Sequence, residues 1–144
     1  MRLTFRLIAL LALAVLFSHA RVHAAEINAI LVTASKSPGP SDAQLRPYEA
    51  TLRRILRFES FRLVGEGSTR ISAPGKGQIS LGRGHQLLLE IAGENSSRID
   101  ATWRHGKGVL MRTGLSLRPG VPAVLGGPET GKRGEVYAII VVTR

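Results

Sequence analysis

The sequence predicts an α+β domain: a mostly antiparallel β-sheet or small β-sandwich with one amphipathic helix after the first strand. Three observations carry this expectation. Residues 98–104 alternate cleanly, with Ile99, Ala101 and Trp103 on one parity and Arg98, Asp100, Thr102 and Arg104 on the other, as a half-exposed antiparallel strand does. From residue 58 onward, short apolar stretches are separated by glycine-containing turns at hairpin spacing. Convincing helical periodicity occurs in one place, residues 42–57.

The first strand spans residues 26–34, where Ile27, Ala29, Ile30, Leu31 and Val32 are apolar on both parities. Such a strand is covered on both faces. Pro38, Gly39 and Pro40 make residues 35–41 a loop. In the helix, Asp42 is the candidate cap, and Leu45, Tyr48, Leu52 and Ile55 recur at helical spacing on one face. Pro47 belongs near the first turn of the regular part. Glu49 and Arg53 stand four apart in the favourable order. Six further strands follow: residues 60–72, weakened by Gly65 and Gly67, then 78–81, 85–92, 98–104, 109–117 and 134–144. The last is again apolar on both parities, so it should lie beside the first in the middle of a sheet, under the helix. The expected core is Ile30, Leu31, Leu52, Ile55, Leu88, Trp103, Leu117 and Ile140.

Residues 1–24 read as a cleavable secretory signal. Arg2 and Arg6 precede an apolar run of 11 residues, 7–17, and small residues follow up to Ala24. That run is too short for the roughly 20 residues of a membrane-spanning helix. Cleavage is expected after Ala24, with Ser18-His19-Ala20 as a second site. Residues 25–144 then form a single β-rich domain, periplasmic or extracellular, without a transmembrane span. With no cysteine in the chain, packing alone must hold the fold, and a lipidated N-terminal cysteine is excluded.

Without Arg2, Arg6 and Arg21, seventeen cations face ten acids, a formal net charge of +7. A basic exported protein suits a partner in the envelope: an envelope protein, a polymer or an anionic lipid surface. The densest positive patch is on the helix, at Arg46, Arg53, Arg54 and Arg57, which are the candidate contacts to an anionic surface. The same pattern also fits the solvated side of a helix packed on a sheet.

Several motifs suggest chemistry and do not sustain it. Gly126 to Lys132 has the glycine and lysine spacing of a phosphate-binding loop, but Arg133 replaces the magnesium-binding hydroxyl. A strand follows where a helix must. The segment is expected to be a hairpin connection, with no nucleotide bound and no nucleic-acid role. Gly82-Arg83-Gly84-His85 reads as a tight turn in preference to an anion nest. Beyond the signal only His85 and His105 remain, at strand ends where polar rim residues are expected, and they lack metal-ligand spacing. Asp100 between Arg98 and Arg104 suggests a cross-strand salt bridge on an exposed strand face. No serine occupies a nucleophile elbow. Asn95-Ser96-Ser97 matches a glycosylation sequon.

The sequence therefore favours a non-catalytic binding or assembly module, with no cofactor and no metal, over the alternative of a small envelope hydrolase. A pocket collecting His85, His105 and a carboxylate would favour the hydrolase.

Overall fold

The computed structural model describes residues 24–93 and 98–144. Residues 1–23 of the predicted signal segment, 1–24, and the sequon within 94–97 lie outside the described residues. Ala24, the last residue of that segment, is the first residue of the first strand. Elements follow in the order β1 (Ala24–Ser35), α1 (Arg46–Leu56), β2 (Ser60–Ser72), β3 (Gly75–Gly82), β4 (His85–Ile91), β5 (Arg98–His105), β6 (Gly108–Ser116), β7 (Ala123–Glu129) and β8 (Glu135–Thr143). Among the described residues, no helix is long and apolar enough to cross a membrane.

The strands form two four-stranded sheets, ordered β2-β1-β8-β7 and β3-β4-β5-β6. All their pairings are antiparallel. The two strands apolar on both parities, β1 and β8, are neighbours at the centre of the first sheet. One of their faces meets the second sheet, where Ile27, Leu31, Ile139 and Val141 pack with Leu87, Leu89, Ala101 and Trp103. The other lies under the helix, where Val32, Ala138 and Ile140 pack with Leu45, Leu52 and Phe61. Covering both faces removes the need for polar alternation, which is why these strands read as continuous apolar runs.

Helix α1 begins at Arg46 with Pro47 in its first turn, where a missing N–H costs nothing. Asp42 does not cap it with its side chain. Its Oδ2 accepts the N–H of Leu63 at 2.7 Å instead, tying the helix approach to β2. Of the expected apolar face, Leu45 and Leu52 are buried and Tyr48 is half-buried, but Ile55 is 47% exposed. Leu56 takes its place and reaches Gly126 of β7. From Leu52, Leu56 lies about 40° around the helix and Ile55 about 60° to the other side, at about 100° per residue. Ile30 and Leu88, also expected in the core, are half-buried. Leu31, Trp103, Leu117 and Ile140 are buried as expected.

Two further differences have a common cause. The segment around Gly65 and Gly67 is not weakened but runs through the whole of β2, because β3 folds tightly against it. A Cβ on Gly65 would overlap the Leu81 carbonyl. Strand β7 has no counterpart in the sequence reading. It carries Gly126-Gly127-Pro128 across a register shift on a sheet edge, where proline and bulges are tolerated.

Candidate functional site

The four helix arginines, Arg46, Arg53, Arg54 and Arg57, are all exposed. Arg53 Nη2 lies 2.9 Å from Glu49 Oε1 and Nη1 lies 3.6 Å from Glu59 Oε2. Exposed pairs of this kind contribute roughly 0–1 kcal/mol to stability, but they offset the charge of Arg53. Arg46, Arg54 and Arg57 have no ion pair among the described residues. Arg57 closes the helix in the left-handed region, with φ 55° and its N–H bonded to the Arg53 carbonyl at 3.1 Å. Glycine is the usual residue in that position.

The two histidines do meet. His85 opens β4, His105 closes β5, and the hairpin register places them directly opposite. Their rings stack at 4.4 Å between centroids with 24° between planes. His85 is not a polar rim residue. It is 2% exposed, with the Tyr137 ring 4.7 Å away at 55°. Trp103 Nε1 donates a hydrogen bond to His85 Nδ1 at 3.1 Å. Nδ1 is thereby an acceptor, so the neutral ring carries its proton on Nε2. Burial holds the His85 pKa below the ordinary 6.5, assisted by repulsion from His105 and Arg83. His105 is exposed and holds Nε2 3.1 Å from the Arg83 carbonyl, an acceptor, so that nitrogen bears the proton.

This cluster is built for packing. Its lone acceptor nitrogen is occupied by Trp103, leaving His85 without a free base, and among the described residues no carboxylate is hydrogen-bonded to either ring. Gly127 lies against the Trp103 ring, where a Cβ would collide with Cη2 and Cζ3. Gly127 of the phosphate-loop-like motif thus serves close packing, whereas Gly131 sits at φ 100° with nothing within 4 Å. Gly126 to Glu129 form the end of β7, and the hairpin connection is only residues 130–134.

A hollow of about 470 Å³ lies elsewhere, on the outer face of the second sheet, lined by Lys76, Gln78, Leu88, Glu90, Asp100 and Thr102. Glu90 and Asp100 face each other across β4 and β5. Each has a cation nearby: Lys76 Nζ lies 3.8 Å from Glu90, and Arg98 Nε lies 3.9 Å from Asp100. The cross-strand ion pair expected of Asp100 is not what forms: its partner, Arg98, lies two residues away on the same strand. Among the described residues, no group of three or more His, Cys, Asp or Glu side chains could hold a metal ion.

Sequence reasoning missed the histidine–tryptophan cluster. Its members are 18 and 20 residues apart, and only the β4–β5 register unites them. The one available signal was parity: Trp103 and His105 share the inward side of β5. Compared with known proteins, the chain matches no family model, no curated protein and no solved structure.

Proposed function

We propose that the protein is a non-catalytic module that works outside the cytoplasm and binds an anionic envelope component through its basic surface. The observation that carries this reading is the meeting of His85 and His105 with, among the described residues, no carboxylate hydrogen-bonded to either ring. Acid–base catalysis needs a group with a free lone pair within hydrogen-bond reach of substrate, and His85 spends its lone pair on Trp103. Arg46, Arg54 and Arg57 meanwhile stand exposed, without ion pairs among the described residues, as contacts to an anionic partner require.

The alternative, a small envelope hydrolase, has one observation in its favour: Glu90 and Asp100 face each other at the hollow on the second sheet. Cross-linked pull-down of the tagged protein from its own envelope fraction separates the two. The module reading expects capture of an acidic component that high salt releases, unchanged in the double variant Glu90→Gln, Asp100→Asn. Turnover of an envelope component by the purified protein, lost in that variant, would overturn it.

A further inference from the structure

The three glycine-flanked basic turns, unrelated in sequence, lie at one end of the sandwich. The β3–β4 turn carries Arg83 and the β5–β6 turn carries Lys107, and the two are joined by Gly106 N–H donating to the Gly84 carbonyl at 3.0 Å. The β7–β8 connection carries Lys132 and Arg133. It belongs to the same end, because His85 beside the first turn contacts Tyr137, two residues into β8. Lys36 joins them through its N–H to the Gly134 carbonyl at 2.9 Å. Arg57 stands two residues before Glu59, whose N–H donates to the Ser35 carbonyl at 2.8 Å.

Those six cations, Lys36, Arg57, Arg83, Lys107, Lys132 and Arg133, are exposed, and none has an ion pair among the described residues. The acids at this end include Glu59, facing Arg53, Glu135, accepting the Thr130 hydroxyl at 2.8 Å, Glu129, and Asp42, accepting the Leu63 N–H at 2.7 Å. The opposite end carries the Glu26–Arg70, Lys76–Glu90 and Arg98–Asp100 pairs, with Arg118 and Arg144 exposed beside them. Exposed cations outside the ion pairs among the described residues are thus more numerous at the first pole, six against two.

Two more features mark this pole. The two non-glycine residues with positive φ among those described are both arginines of this set, Arg57 at 55° and Arg83 at 51°. Glycine would hold either conformation at lower cost. Beside Lys107, the edge strand β6 opens with Val109 and Leu110, 43% and 38% exposed. Arg104, opposite Val109 in the register, keeps its Nε buried and without a hydrogen-bond partner.

Deepening the reading of an anionic envelope partner, on which this rests, we propose that this pole docks on an anionic phospholipid bilayer, with Val109 and Leu110 entering the interface. Basic side chains flanking exposed apolar ones match a membrane surface, which offers negative headgroups above an apolar phase. A soluble polyanion offers only the charge.

The test is co-sedimentation of the protein, in the form its cells accumulate, with phosphatidylcholine vesicles with and without phosphatidylglycerol. Binding is expected only to the anionic vesicles, with release by salt. Arg57→Gly and Arg83→Gly relieve left-handed strain, so their melting temperatures should hold or rise. Each should nevertheless weaken vesicle partitioning roughly five-fold, and together roughly thirty-fold. Val109→Ser with Leu110→Ser should lose vesicle binding and keep retention on a heparin column. Equal binding to neutral vesicles, or none to either kind, overturns the proposal. Heparin retention without vesicle binding overturns the bilayer and leaves the anionic-partner reading standing. Loss of vesicle binding in Arg46→Glu, Arg54→Glu, with Arg57→Gly and Arg83→Gly unaffected, overturns the assignment to this pole.

Discussion

His85→Phe tests the buried cluster through both magnitude and sign. Phenylalanine keeps the aromatic packing against Tyr137 and His105 but removes the acceptor of the Trp103 N–H. Leaving a buried donor unpaired costs about 1–3 kcal/mol. With a urea m-value of about 1–3 kcal/mol/M, the unfolding midpoint of the variant should fall by roughly 1 M at pH 8. The pH dependence should move oppositely. The folded pKa of His85 is lowered by burial, with His105 and Arg83 adding to it, below the 6.5 of an unfolded histidine. The unfolded chain therefore binds the proton first as pH falls. The stability contributed by neutral His85 is complete above 6.5 and is lost below it, until the buried ring itself protonates. Phenylalanine has no such term, so the gap between native protein and variant should narrow on acidification. Trp103 is the chain's one tryptophan, so its fluorescence follows unfolding at the site itself. A variant as stable as the native protein at pH 8, or a gap that widens toward acid, would refute the reasoning.

Further predictions concern packing, the helix face and export. Gly127→Ala should cost about 1–3 kcal/mol, because its methyl would meet the Trp103 ring and come within 3.0 Å of the Tyr137 carbonyl oxygen. Gly39→Ala, with nothing within 4 Å, should be neutral, and equal thermal shifts would contradict the packing argument. Leu52→Ala should cost about 2–5 kcal/mol while Ile55→Ala stays within about 0.5 kcal/mol; chemical denaturation of both variants checks which residue faces the sheet. Leu10→Arg with Leu13→Arg should retain the protein in the cytoplasm, since each arginine opposes insertion by about 2.5–3.5 kcal/mol. Exported native protein should begin at or near Ala25, and N-terminal sequencing that finds Met1 intact would sink the cleavable signal.

Much of the fold was legible where burial leaves a local pattern. The two-faced apolar runs of β1 and β8 report a helix on one side and a second sheet on the other, so their central position could be read without knowing their neighbours. The parity of β5 likewise reported Trp103 as inward. What sequence could not show depends on contacts between distant segments. Gly126-Gly127-Pro128 reads as a break, yet Gly127 is required by the Trp103 ring, and the edge position excuses the proline. Ile55 and Leu56 are adjacent and both apolar, and the angle at which α1 crosses the sheet decides between them. The helix arginines were readable as a cluster because they are local. Arg83, Lys107 and Arg133 read as three separate turns, and only the strand order brings them to one pole. His85 reads as a rim residue because its shielding comes from Tyr137, more than fifty positions away.

The account rests most directly on association with an anionic envelope surface, and one measurement addresses it: co-sedimentation of the purified protein with its own envelope fraction across a range of ionic strength. Electrostatic docking by exposed cations is screened over a Debye length of about 8 Å at physiological salt. The bound fraction should therefore be high at low salt and fall steadily as salt rises, with no chemical change in the envelope. Absence of binding at every salt, or binding that salt does not weaken, would contradict the account.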